Sequence, residues 1–170
     1  AGCDSECAGA SEQITLDGPA NCDSISELLG LSGGFQAVCG EISGGAATIL
    51  TSDAFGSGSI IVGSSVIFGD FNLANDISGI GRVIYTGVGT GDLSGNNTFS
   101  GGTEIQSGSL RIANVNALGT GAVTSSNGTL LQVDNATDQV LANDLTGDLT
   151  LVKTNTGVLD LTGNNSYDGG

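Results

Sequence analysis

From about residue 39 onward the chain is a succession of short Ile-, Leu- and Val-rich runs, each closed by Gly, Asn or Ser. From residue 102 onward they read TEIQ (103–106), SLRIA (109–113), AVT (122–124), TLLQV (129–133), DLTLV (148–152) and VLDL (158–161). Apolar positions alternate within them, which is the period of a strand and not of a helix. Alternation sends one set of side chains inward and the other to solvent. The pattern predicts an all-β chain. The exception is DSISELLGL at 23–31, where Ser24 precedes Glu27 as a capping box and Ile25, Leu28 and Leu29 fall at helical spacing. One short helix is expected there.

The runs belong to a repeat. Residues 73–102, LANDISGIGRVIYTGVGTGDLSGNNTFSGG, align without a gap on 141–170, LANDLTGDLTLVKTNTGVLDLTGNNSYDGG, with 14 of 30 positions identical at an offset of 68. Upstream, 39–58 align on 102–121 at an offset of 63, pairing Glu41 with Glu104 and the AFGSG of 54–58 with the ALGTG of 117–121. The difference implies about five extra residues between 122 and 140. Repeats of strand-sized pieces define a solenoid, in which no coil buries its apolar residues alone. The expected organisation is a cap at 1–38, one module at 39–101 and a second at 102–170 that stops inside a repeat. Three coils of roughly 22 residues would fill a module. A solenoid edge left open there is expected to associate end to end.

Composition sharpens the picture. Aromatics are only 4% of residues, so the core must be aliphatic, and 30 glycines beside Asn, Asp and Ser mark many tight turns. Pro19 is the single proline, as befits a chain whose backbone N–H groups are needed in ladders. Three basic residues, Arg82, Arg111 and Lys153, face 18 acids, for a net charge of −15. That balance excludes nucleic acid and anionic lipid as partners. No stretch is long and apolar enough for a membrane-spanning helix. Cys3, Cys7, Cys22 and Cys39 all lie in the first quarter. An even count at one end points to two disulfides and an oxidising compartment, and the spacing lacks the close pairs of a four-Cys zinc site. Of the three pairings, Cys3–Cys7 with Cys22–Cys39 is preferred.

The segment DLSGNNTFSGGTEIQSGSLRIAN (92–114) resembles the passenger-associated repeat of bacterial autotransporters. Leu93, Gly95, Asn97, Thr98, Phe99, Gly101, Gly102 and Thr103 carry the likeness, and so do Leu161, Gly163, Asn165, Ser166, Tyr167, Gly169 and Gly170. Ala117, Leu118, Gly119 and Gly121 match a small motif that follows it. The resemblance covers about residues 39–170. It implies a right-handed parallel β-helix, exported through periplasm and outer membrane to the cell surface, with a C-terminal β-barrel absent from this chain as the membrane anchor. It also implies work in adhesion, aggregation or biofilm formation, with a host or bacterial surface receptor, or another copy, as partner. Such passengers are usually Cys-poor, and export favours tight local disulfides.

No catalytic residue is expected. Without His, a Ser-His-Asp triad, a Cys-His pair and imidazole-ligated metals are all excluded. Asp76 and Asp144, like Asp92 and Asp160, are repeat equivalents, which suits turn or solvated-face residues better than a unique carboxylate pair of a polysaccharide-degrading enzyme. The Asn96–Asn97 and Asn164–Asn165 pairs read as turn residues in left-handed geometry, with Phe99 and Tyr167 at the coil's rim. No cofactor is implied. The segment GVGTGD (87–92) approaches a calcium-binding Gly-rich turn, so weak calcium binding is the alternative, together with glycan binding on the acidic face or cap. A calcium titration separates these readings: the stalk reading expects an unchanged melting temperature, and the calcium reading an increase.

Overall fold

The computed structural model describes residues 14–16, 41–42, 46–49 and 59–169. Among them run sixteen strands: β1 (Ile14–Leu16), β2 (Glu41–Ile42), β3 (Ala46–Ile49), β4 (Ile60–Val62), β5 (Ser65–Phe68), β6 (Asn72–Leu73), β7 (Ile77–Gly79), β8 (Arg82–Tyr85), β9 (Thr90–Leu93), β10 (Thr103–Ile105), β11 (Ser109–Ile112), β12 (Val123–Asp134), β13 (Gln139–Leu141), β14 (Leu145–Thr154), β15 (Leu159–Leu161) and β16 (Ser166–Tyr167). The predicted helix at 23–31 and all four cysteines lie outside the described residues.

Each strand pairs in parallel with a strand one turn away, which makes the chain a parallel β-solenoid with three faces. The first face stacks β1, β3, β5, β8, β10, the start of β12, the start of β14, and β16. The second stacks β6, β9, β11 and the far halves of β12 and β14. The third holds β2, β4 and β7, then β13 and β15. Between those groups residues 97–99 continue the third face: Thr98 N–H donates to the Ile77 carbonyl at 2.8 Å, and Thr120 N–H to that of Phe99 at 2.9 Å. Neighbouring rungs of such a stack lie about 4.8 Å apart.

The core is the lumen, filled by the inward set of each alternating run. On the first face one inward column reads Val66, Val83, Thr103, Val123, Leu145; the next reads Phe68, Tyr85, Ile105, Ser125, Gly147. Leu93, Phe99, Leu110, Ile112, Leu131 and Leu149 fill the lumen from the other faces. Volumes compensate across it. Where Tyr85 enters, the facing position is Gly91, at which even a Cβ would come within 2.4 Å of the Tyr85 ring. Phe68 packs on Tyr85 at 5.3 Å and on Phe71 at 5.8 Å between ring centroids, tilted or edge-on. Phe99 is fully buried, so it is a core residue and not the rim residue the sequence suggested.

Strand registers set the rung length. Paired residues are separated by 19, 17, 20, 20, 22 and 20 positions in successive rungs from β3 to β16. Most rungs are thus shorter than the coil of roughly 22 residues expected, and the sequence repeat does not close on whole turns. Three turns carry Val83 to Leu145, yet Leu145 is the repeat equivalent of Ile77, on the preceding face. Each copy of the repeat is therefore advanced by one face. A bulge accounts for part of the extra length between 122 and 140: residues 126–128 of β12 lie opposite the single residue Asp148 of β14, and Gly128 takes φ +66°.

Burial predicts mutational cost. Leu110→Ala, in the closed lumen, is expected to lower unfolding free energy by about 2–5 kcal/mol, whereas Thr124→Val on the outside should shift it by no more than about 0.5 kcal/mol. Urea denaturation followed by far-UV circular dichroism measures both.

Candidate functional site

The repeat motif residues converge on a clasp between adjacent rungs. Asp76 Oδ1 accepts from the Asn96 N–H at 2.8 Å, while the Ile77 N–H donates to Asn97 Oδ1 at 2.7 Å. In the second copy Asp144 Oδ1 accepts from the Asn164 N–H at 2.6 Å, and the Leu145 N–H donates to Asn165 Oδ1 at 3.0 Å. The LAND and GNN segments recur together because they sit one rung apart and bond to each other. Asn97 does more: its Nδ2 donates to the Ala117 carbonyl at 2.6 Å, so one buried amide ties three rungs. These asparagines are not left-handed turn residues, since Asn155 is the only non-glycine with positive φ among the described residues. The Asn97 and Asn165 side chains replace ladder bonds where the backbone turns. Asp138 repeats the aspartate half of the device, accepting from the Val158 N–H at 2.8 Å.

The remaining motif residues support this clasp. Leu93 is buried in the lumen. Gly95 lets the chain pass so close to the rung below that a Cβ would lie 2.1 Å from the Asn75 carbonyl oxygen; Gly163 stands in the same relation to Asn143, at 2.2 Å. Gly102 takes φ +90°, which only glycine adopts cheaply. Gly101 and Gly169 sit tight against backbone of the preceding rung. Thr103 is buried and its hydroxyl donates to the Leu118 carbonyl at 3.0 Å. Ala117 and Leu118, both buried, form a single 3₁₀ turn over Val115–Leu118, capped by Asn114. In the second copy Leu161 is 38% exposed and Tyr167 half-buried. Gly170 lies outside the described residues.

A second corner was not legible in the sequence. Tyr85 is buried in the lumen, but its hydroxyl reaches out to donate to Asp70 Oδ1 at 2.6 Å, and the Gly89 N–H donates to the same carboxylate at 3.0 Å. The Gly-rich segment 87–92 thus wraps an anion of its own chain with N–H groups and directs donors, not carbonyls, at Asp70. The Tyr85 hydrogen bond, helped by the Gly89 and Val88 N–H groups, holds the Asp70 carboxyl below its ordinary value against the effect of burial. Burial first, then the Asp70 hydrogen bond and charge, pushes the Tyr85 phenol well above its ordinary range. Lys153, the repeat equivalent of Tyr85, occupies the inward column of Ile112 and Val133, and its amine likewise turns back to backbone carbonyls, at Thr154 and Asn155.

The outer faces carry the charge. Arg111 bonds Asp92 through Nε and Nη2 at 2.6 and 2.8 Å, and Arg82 bonds Glu104 at 3.2 Å. Around the first pair lies a shallow depression of about 240 Å³, bordered by Asn72, Ser94, Ala113 and Asp134. Among the described residues no three Asp, Glu, Cys or His side chains group as a metal site, and no helix is long and apolar enough to cross a membrane. Asp76 and Asp144 lie on different faces, each engaged with backbone.

The fold and its clasp define a class: a repeat-built parallel β-solenoid. Residues 83–112 and 151–170 match the Passenger-associated-transport-repeat family. The chain is also similar to the adhesin BmaC autotransporter of Brucella suis biovar 1 (strain 1330), 32% identical over 180 residues, covering 92% of this chain and 5% of that protein. No solved structure matches. The chain belongs among autotransporter passenger domains built on passenger-associated transport repeats, and it spans only a small part of the length of the relative.

The clasp and the corner are separately testable. Asn97→Ala strands the Ile77 N–H and the Ala117 carbonyl, each costing about 1–3 kcal/mol when buried without a partner; thermal unfolding should show a larger loss than for Asn165→Ala. Asp70 and Tyr85 act at opposite ends of the pH scale. The depressed carboxyl stabilises the fold above its unfolded value, and that contribution fades as pH drops through the folded value. The raised phenol stabilises below about pH 10, and its contribution is lost as pH rises further. Tyr85→Phe should flatten the alkaline limb of a plot of denaturation midpoint against pH, and Asp70→Asn the acidic limb.

Proposed function

We propose that this segment is a non-catalytic stalk of a surface-displayed adhesin, holding binding regions of a longer passenger away from the cell in adhesion, aggregation or biofilm formation. The observation that carries this reading is the rung-on-rung stack of the described residues, in which Asn97 and Asn165 bond between rungs and the recurring Asp76 and Asp144 hold backbone N–H groups. An adhesin among its relatives supports the setting. We take the coil to be right-handed, the hand that right-twisted parallel strands favour, and the chain to reach the cell surface through an outer-membrane barrel carried elsewhere in the protein. Residues 1–38 serve in this reading as a disulfide-stapled cap, leading into modules at 39–101 and 102–170.

A second reading, glycan binding, draws on one feature, the depression around Arg111, Asp92 and Asp134. Two measurements decide between them. Removal of the segment from the full-length protein on live cells should reduce cell attachment or aggregation, while Arg111→Ala in the intact protein should leave it unchanged. A glycan array in which the isolated chain captures a defined sugar, with capture abolished by Arg111→Ala, would replace the stalk with a lectin. Release of reducing ends from polysaccharide would overturn the non-catalytic assignment.

A further inference from the structure

One corner of the shaft leaves aliphatic side chains in water. Ile80, between β7 and β8, is 77% exposed, and Ile61 of β4 is 47% exposed. Ile80 stands between Gly79, at φ +106°, and Gly81, whose N–H donates to the Val62 carbonyl at 2.8 Å. Ile61 lies opposite Ser78, two residues before Ile80, so both border the corner between the third and first faces. Around that corner Ile67 and Ile84 are register partners on the first face, half-buried and turned outward, with Arg82 between Ile80 and Ile84 along the chain. In the following rungs these positions turn polar. Ser100 stacks on Ile80, and Glu104, Thr124, Thr146 and Ser166 continue the column of Ile84. The second repeat copy has Asp148 where the first has Ile80. Clustered, exposed aliphatic surface of this kind marks a contact site.

We propose that this isoleucine corner is the docking site of residues 23–31 of the same chain, with Ile25, Leu28 and Leu29 packed against Ile61, Ile80 and Ile84. Chain length and chain ends point to this occupant. Between Leu16 of β1 and Glu41 of β2 run 24 residues, 17–40, where only 8, 69–76, separate Phe68 from Ile77 in the rung of β5. The longer segment rejoins the shaft at Glu41, the register partner of Ile61, one rung below the exposed corner. The tether 32–40 can span up to roughly 30 Å when extended, several times the rung spacing of about 4.8 Å. The sequence of 23–31 also requires a partner. Its apolar residues fall on one helical stripe, and a helix that short is marginal in water unless the stripe is buried. Charge agrees as well. Residues 17–40 hold Asp17, Asp23 and Glu27 and no base, and Arg82, one of three basic residues in the chain, lies within the corner. A second copy would instead set one net charge of −15 against another. The proposal goes beyond the stalk reading and does not depend on it, since a lectin of the same fold would have the same corner.

Photo-crosslinking of the full-length protein tests this. With Ile80→p-benzoylphenylalanine, illumination should join position 80 to a peptide within 23–31 of the same molecule, read by mass spectrometry of the product that migrates as a single chain. A crosslink to a second copy, a crosslink to any other segment, or no crosslink would overturn the proposal. Limited digestion with a glutamyl endopeptidase is the independent measurement, because Glu27 is the only glutamate in 17–40 and cleavage tracks the undocked population. Ile80→Ser, which places there the residue that the next rung carries, should speed cleavage after Glu27 by about tenfold, the scale of one lost aliphatic contact. Val140→Ser, at a valine 54% exposed on β13, should leave the rate unchanged. Both variants should keep the far-UV circular dichroism of the parent. Cleavage after Glu27 at the parent rate in Ile80→Ser would sink the assignment, as would equal acceleration by Val140→Ser.

Discussion

The structure depends on backbone hydrogen bonds between rungs that are distant in sequence but stacked in space. Every strand pair is parallel and joins residues about twenty positions apart, apart from the longer excursion between β1 and β3. Within a strand these bonds form by themselves. At the corners the chain turns, the ladder breaks, and buried N–H and C=O groups would go unpaired at substantial cost. The recurring asparagines and aspartates supply the missing partners there. Asn97 is the fullest example, because its amide both accepts from the rung below and donates to the rung above.

That role explains why the repeat is conspicuous in sequence while its copies lie on different faces. A copy does not need a fixed place around the shaft. It needs its LAND part and its GNN part to be one rung apart, and in both copies they are separated by twenty residues. The long β12 and β14 show how the remaining length is absorbed, by a bulge at the bend between two faces. A solenoid assembled this way tolerates variation in loop content while preserving the contacts each rung requires from its neighbours.

The charge distribution follows from the same economy of partners. Both arginines sit on outer faces bonded to a carboxylate of the adjacent rung, and the lysine bonds carbonyls of its own corner. Asp70, Asp76, Asp138 and Asp144 hold backbone N–H groups. Such a surface keeps an extended molecule dispersed and disfavours anionic partners.

By itself the sequence determined the class of fold and the identity of its recurring unit. Alternation of apolar residues, abundant glycine and a gapless repeat at 68 left a stacked, all-β coil as the arrangement able to bury those runs. Ala117, Leu118 and the repeat glycines were legible only as residues that carry the family resemblance. Only the tertiary structure decided the rung length, the one-face advance of each repeat, the burial of Phe99, the three-rung bond of Asn97, and the meeting of Tyr85 with Asp70. The physical reason is that all of these are relations between rungs. Their partners lie fifteen to twenty-two residues apart along the chain, and periodicity within a strand reports which way a side chain points but not what lies above or below it.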